Sequence, residues 1–438
     1  MKANCSFQSA HAEGVIRDDE VEEIIYELAS MVYSTAKINP NALRVHLINE
    51  ETINAFVLGG TSVHITTGLL QHSDQPEMLV GVLAHEAGHI SGGHYLAGIE
   101  ANRQATHMAI FSALASAVVA GLAGGDGDAV LGGTFASFEL AMRQRLRFSR
   151  LQETMADRQA IDSLSKLGIS PQGLIDLLTH FDQYSESAEF PSYYRTHPAD
   201  RQRIQMIEQG MREKSFKDKG RLAPSVRNRF KMAVYKLRGF TMDPDEVLLS
   251  YASEHNDAAV YAKAVAYFRK GNLPQAMKLI DQLITQHPNN PHLYATKAQF
   301  TYESGKVRES ISLYEKVMNM RGKKGNAIKL ELASAYNATS EHGNALKAVR
   351  LLEQYLAINP TDSNAWRQLG IAYDRQKLRQ LANLAFAEEA VLEQQYRRAE
   401  NFVKQVEAAL QTSPPERESI RVRLEDIRRA IRLLKEQQ

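Results

Sequence analysis

Residues 73–93 read SDQPEMLVGVLAHEAGHISGG. Asp74 with Glu77 three residues on, and Pro76 in the first turn, is a helix-start signal. Leu79, Val82 and Leu83 form the apolar stripe of that helix, and Gly92-Gly93 predicts its end. His85-Glu86-Ala87-Gly88-His89 therefore lies on a helix. Residues four apart point the same way there, so both imidazoles converge on one point. Glu86, one step on, can reach a water at that point without itself becoming a ligand. A chain with this His and Glu content would show the HExxH pattern by chance in roughly 3% of cases.

The rest of the composition narrows the chemistry. The chain has 438 residues, more than one ordinary core holds, so two or more domains are expected. Hydrophobic content of 44% and charged content of 24% are those of a globular protein. A net charge of +1 calls for no nucleic acid and for no long-range steering. The single cysteine, Cys5, excludes an intrachain disulfide and any metal site built on two cysteines. A metal would be held by His, Asp or Glu.

Two histidines leave a zinc site one ligand short. A third histidine six residues past His89 would fall at 95, which is Tyr95, and His94 is one step out of phase. The remaining source is a carboxylate on another helix, and Glu100, Glu139 and Glu153 are the candidates. Glu153 is the best of them because it opens Glu153-Thr154-Met155-Ala156-Asp157, where Glu153 and Asp157 share a helix face. Asp157 could then orient a ligand histidine or handle a proton. A Glu/Asp pair alone is more often a solvated face; beside HExxH it reads as a metal site. His64, His94, His107 and His180 read as structural.

Around this motif, residues 15–37 are predicted to be an amphipathic helix, with Val15, Ile16, Val21, Ile24, Ile25, Leu28, Met31 and Val32 at helical spacing. RVHLIN (44–49) and SVHIT (62–66) read as short strands, with Gly59-Gly60 as a turn between strand-like segments. The Ala-rich run 105–124 is long enough to span a membrane, but Thr, Ser, His and Gly dilute it. A buried or lid helix is favoured over a membrane-contacting one. GGDGDAVLGG (124–133) breaks the pattern, and helices resume over 136–163 and 171–184. Ala10-His11-Ala12 has the small-x-small form of a signal-peptide end without an apolar core before it, so residues 1–14 read as a tail or a signal-peptide remnant.

From about 245 the strands give way to paired helices. Gly271 maps onto Gly305, Leu273 onto Val307, Ile280 onto Tyr314 and Ala264 onto Ala298, a period of 34 residues like that of tetratricopeptide repeats. Less regular units follow at Ala333, Tyr336, Gly343 and Ala345, and at Trp366, Leu369, Gly370, Ala372 and Tyr373. The charged stretch 377–438 suits a capping end. The expected organisation is a tail (1–14), a metallopeptidase domain (15–215), a linker (216–244) and a helical repeat domain (245–438). The expected fold is mainly α: an α+β domain with a small sheet and the HExxH helix, then an all-α superhelix.

HEAGH, then SRLQETMAD (149–157), then THPADRQRI (196–204), together with Asn54-Ala55-Phe56 and VHITTGLL (63–70), resembles the HtpX/BepA-like zinc metallopeptidases, relatives of the CAAX-prenyl endopeptidases. The likeness covers roughly residues 15–210. It implies one Zn2+ per chain on His85, His89 and Glu153, with Glu86 as the base and Asp157 as a proton donor. It implies that Asn54–Phe56 and Val63–Thr66 lie on an edge strand that takes up substrate backbone by strand addition. His197, which a structural reading would leave as a capping or surface residue, is implied to cover the zinc as a latch. Arg203 is implied to meet a site carboxylate or the substrate. A peptidase joined to repeats resembles the BepA-type periplasmic members, which cleave or chaperone misassembled outer-membrane β-barrel proteins. The repeats would recruit such substrates or the barrel-assembly machinery. The C-terminal cysteines of some such proteins are absent. Two rival readings are a repeat-based chaperone or adaptor with a latent protease site, and a metal-free scaffold.

Overall fold

The computed structural model describes residues 14–58, 62–94, 150–183, 197, 201–214, 220–322 and 325–436. They fall into two compact units, one running to Pro288 and the other from Asn289. The first contains a small mixed sheet and helices, the second helices alone.

The sheet has strands β1 (Val15–Ile16), β2 (Arg44–Ile48), β3 (Ala55–Leu58) and β4 (Ser62–Thr66), in the order β1-β2-β4-β3. β2 and β4 are parallel, and the outer pairs are antiparallel. Alternation sends Val45, Leu47, Ala55, Val57, Val63 and Ile65 into the core. On the other face the register places His46, His64 and Phe56 side by side, and their rings stack at 4.6 and 4.9 Å between centroids. His64 is therefore a packed sheet residue.

Helix α1 (Asp19–Thr35) begins later than the apolar spacing predicts. Asp18 is the N-cap and accepts from the N–H groups of Glu20 and Val21, so the chain before it is extended. Val15 and Ile16 fit the helical period but pair with Ile48 and Leu47 as an added strand. After β4 come α2 (Thr67–His72) and α3 (Pro76–Ser91). Asp74 does not cap α3: the cap position is Gln75, without a side-chain bond, because the Asp74 carboxylate pairs with Arg238 at 2.8 Å. Glu77 accepts from the Leu222 N–H at 2.9 Å. α3 stops where Gly92-Gly93 predicts, with Gly93 at φ +66°.

The helices α4 (Arg150–Leu167), α5 (Gln172–Gln183) and α6 (Arg201–Glu213) follow. α4 and α5 pack on α3, which is buried along its length from Pro76 to His89 apart from Met78. The runs expected over 105–124, 124–133 and 136–149 and the Gly59-Gly60 turn lie outside the described residues. Within 216–244, Pro224–Thr241 forms a helix, α7, that packs on α1 with Phe230, Ala233, Val234 and Leu237 in the same core. Helices α8 (Pro244–Ser250), α9 (Asp257–Arg269) and α10 (Leu273–Gln286) complete this unit. α9 packs on α7 and places Ala258, Ala259, Ala262 and Ala266 in that core. A buried polar cluster ties the three helices together. Lys236 on α7 meets Asp18 at 2.7 Å and Glu20 at 2.8 Å, and the Tyr261 hydroxyl on α9 donates to Glu20 at 3.2 Å.

The second unit is made of consecutive helices: α11 (Pro291–Glu303), α12 (Val307–Arg321), α13 (Ala327–Asn337), α14 (His342–Leu356), α15 (Ser363–Arg375), α16 (Arg379–Leu392), α17 (Tyr396–Thr412) and α18 (Ser419–Glu436). They pack in sequential pairs, as tetratricopeptide repeats do. The α9/α10 and α11/α12 turns pass through Gly271 at φ +77° and Gly305 at φ +84°, with open space around both, so backbone conformation alone accounts for glycine there. In α18 a stripe of Ile420, Leu424, Ile427, Ile431 and Leu434 is buried. Among the described residues no helix is long and apolar enough to cross a membrane.

Candidate metal centre

The site forms where α3 and α4 touch. A Cβ at Gly88 would lie 2.6 Å from the backbone oxygen of Ala156 and 2.7 Å from its Cα. Only glycine permits that approach, and the approach sets Glu153 and Asp157, flanking Ala156 on α4, against His85 and His89. Gly88→Ala is expected to destabilise the protein by roughly 1–3 kcal/mol as the helices are forced apart, and to lower its metal content. Thermal denaturation and elemental analysis check this, and an unchanged melting temperature would contradict it.

Four buried side chains converge: His85, His89, Glu153 and His197. His85 Nε2 lies 3.1 Å from His89 Nε2, 3.3 Å from Glu153 Oε2 and 3.2 Å from His197 Nδ1. Glu153 Oε1 lies 3.3 Å from His89 Nε2 and 3.2 Å from His197 Nδ1. A tetrahedral ion bound at about 2.0–2.1 Å spaces its ligand atoms roughly 3.3–3.4 Å apart. Ring nitrogens and carboxylate oxygens facing one another at these separations have the spacing of one coordination sphere. The residues present fit a four-coordinate metal ion.

Outside this group, Asp157 Oδ1 accepts from His85 Nδ1 at 2.8 Å. Arg203, on α6 and buried, joins both carboxylates: Nε to Asp157 Oδ2 at 2.7 Å, Nη2 to Asp157 Oδ1 at 2.8 Å and Nη1 to Glu153 Oε2 at 2.7 Å. Burial pushes the Asp157 carboxyl up, but the guanidinium and His85 outweigh it and bring it down to about 2. Glu153 is likewise held far below the ordinary carboxylate range against the cost of burial, chiefly by His197. Burial opposes a charge on His85, yet Asp157 and Glu153 raise its pKa to about 9; His89, where burial dominates, is lowered. The site is therefore a dense array of opposite charges that a cation would join by displacing protons from the imidazoles.

Glu86 is fully buried and its Oε1 is 3.5 Å from His197 Nε2. His94, read from sequence as structural, sets its Nδ1 3.0 Å from His89 Nδ1. Asn54 is buried beside β3. Its backbone N–H and carbonyl are both bonded to Thr66, and its Oδ1 has no partner among the described residues. His180 pairs with His72 at 4.2 Å between ring centroids, away from this group, and His107 and the other carboxylate candidates, Glu100 and Glu139, lie outside the described residues.

Residues 16–210 match the family model described as peptidase family M48, and residues 246–300 match a tetratricopeptide repeat model. The beta-barrel assembly-enhancing protease of Escherichia coli K12 is 25% identical over 377 residues, 82% of this chain and 73% of its own length. That of Yersinia pestis is 24% identical over 423 residues, covering 95% and 85%. Metalloprotease LoiP of Escherichia coli K12 is 28% identical over 176 residues, 40% of this chain and 65% of its own length.

Proposed function

We propose, for a metalloendopeptidase whose residues 16–210 are a peptidase family M48 domain, that the ion is zinc, one per chain, held by His85, His89 and Glu153. The observation that carries this is the set of 3.1–3.3 Å separations among the ligand atoms of these residues. Two imidazoles and one carboxylate are a donor set suited to catalytic zinc, which leaves a fourth position for chemistry. When bound, the ion supplies Lewis acidity, lowering the pKa of water and polarising a peptide carbonyl. Glu86, beside that position, takes the proton from water and delivers it to the leaving amine. We assign Asp157 to orienting His85 rather than to donating protons. Both its oxygens are engaged, and a carboxyl brought down to about 2 is ionised at neutral pH. Arg203 fixes both carboxylates at once.

His197 occupies the fourth position in this conformation, which supports its reading as a latch that holds the site closed. A latch worth ~1–2 kcal/mol would suppress turnover by roughly 5–30-fold. His197→Ala is therefore expected to raise kcat/KM on a denatured protein by about that factor with metal retained. Loss of metal together with activity would instead make His197 an obligatory ligand.

The substrate reading rests on the relatives, whose name ties them to β-barrel assembly. By extension this chain cleaves misfolded or misassembled proteins of the bacterial cell envelope, in the periplasm, with its repeats recruiting substrate or an outer-membrane assembly partner. Val63–Thr66, expected at an edge, is an internal strand, because β4 pairs with β2 on one side and β3 on the other; among the described residues β3 pairs only with β4, which supports strand addition of substrate along β3, next to Asn54. The burial of all four site residues also favours the second reading, a chaperone or adaptor whose site stays shut. Cleavage of a denatured outer-membrane protein by wild type and by Glu86→Gln separates the two: barrel-assembly support that survives the loss of cleavage belongs to the adaptor.

A further inference from the structure

The two histidines of the HExxH helix are supported differently. His85 turns Nε2 into the group and gives Nδ1 to a carboxylate, Asp157. His89 also turns Nε2 into the group, but its Nδ1 meets another imidazole, Nδ1 of His94, at 3.0 Å, the rings edge to face with centroids 5.0 Å apart. Both rings are buried. A ligand imidazole must present a lone pair inward, so its proton sits on the other nitrogen and needs an acceptor. From sequence, His94 falls between the registers of a helical ligand. The structure explains that offset: the helix ends at Gly92, Gly93 adopts φ +66°, and the chain turns back to lay the His94 ring over the last turn. A Cβ at Gly92 would collide with that ring.

We infer that His94 is the positioning residue of His89. It accepts the proton of His89 Nδ1 on its own Nδ1, and thereby fixes the tautomer and ring plane that present His89 Nε2 to the metal. The glycine pair before it is the turn that makes this possible. The inference rests on the metal-site reading above. It adds a neutral acceptor on one ligand where the other has an anionic one, so the two ligand histidines are not equivalent.

The test uses the full chain, with zinc affinity measured by competition against a chromophoric chelator and the melting temperature measured on metal-free protein. His94→Phe keeps a ring and removes the acceptor; His94→Asn keeps a short acceptor. The Phe variant is expected to bind zinc about 10–100-fold more weakly, with the metal-free melting temperature unchanged and the loss partly rescued in the Asn variant. Gly92→Ala, which displaces the ring, is expected to weaken zinc in the same direction. Wild-type affinity in the Phe variant overturns the inference. So does equal weakening in Phe and Asn variants accompanied by a lower metal-free melting temperature, which is the mark of packing alone. Failure of the metal-site reading itself looks different: wild type would bind no stoichiometric zinc, and His85→Ala would leave the titration unchanged.

Discussion

Glu86→Gln is expected to lower kcat/KM for cleavage of a denatured protein by about 10²–10⁴-fold, the range for loss of a positioned general base, with metal content and melting temperature unchanged. The substitution keeps shape and removes only the capacity to take a proton. Glu86 Oε1 approaches the His197 imidazole at 3.5 Å, and the group of His85, His89 and Glu153 is closed by contacts of 3.1–3.3 Å among those three residues themselves. Activity and metal content should therefore come apart. Retention of wild-type cleavage would remove Glu86 from the mechanism. A parallel loss of metal would make it a structural member of the site.

Arg203→Met should produce the largest loss of stability. The guanidinium is 4% exposed and is shared by Glu153 and Asp157, themselves 1% and 0% exposed. Removing it leaves two buried carboxylates with only the neighbouring imidazoles to offset their charge, and breaking a buried pair from one side costs about 3–5 kcal/mol. The pH dependence has a definite sign. The folded-state value of Asp157, about 2, lies below its value of 3.8 in the absence of these partners. Its contribution to stability is full above the unfolded value and is lost as pH falls through the folded one. Without Arg203 the folded value rises, so the acid limb of unfolding moves to higher pH. Urea denaturation at pH 7 and pH 4 measures both effects. An unchanged midpoint at pH 7 would mean that neither carboxylate depends on Arg203. Added zinc should restore part of the loss, because a bound cation stabilises the folded state by mass action.

How much of this was legible in the sequence depended on range. The metal helix, its end at Gly92, the strands at 44 and 62 and the glycine turns at 271 and 305 are local. Their residues lie within one or two turns of the feature they specify. Glu153 was legible for a related reason: its partner Asp157 is four residues away on the same helix face, even though the histidines they meet are far off in the chain. The misreadings share the opposite property. Val15 and Ile16 have helical spacing, but their strand depends on Leu47 and Ile48. Asp74 has the form of a cap, but Arg238, 164 residues on, takes its carboxylate. The two-carboxylate grip of Arg203 spans 46 residues to Asp157. The approach of His94 to His89 was not legible, because its direction follows from a single positive φ at Gly93 and no periodicity encodes that.

The buried Lys236–Asp18–Glu20–Tyr261 cluster has a practical corollary for anyone dissecting the chain. The repeat texture begins near 245, and a fragment cut there looks like a free-standing catalytic half. It would lack Tyr261 and the alanine face of α9, leaving Glu20 without its hydroxyl donor and the surface of α7 bare to solvent. The compact unit that holds Glu86 runs through Pro288, so α9 packs on α7 within the same unit as the HExxH helix.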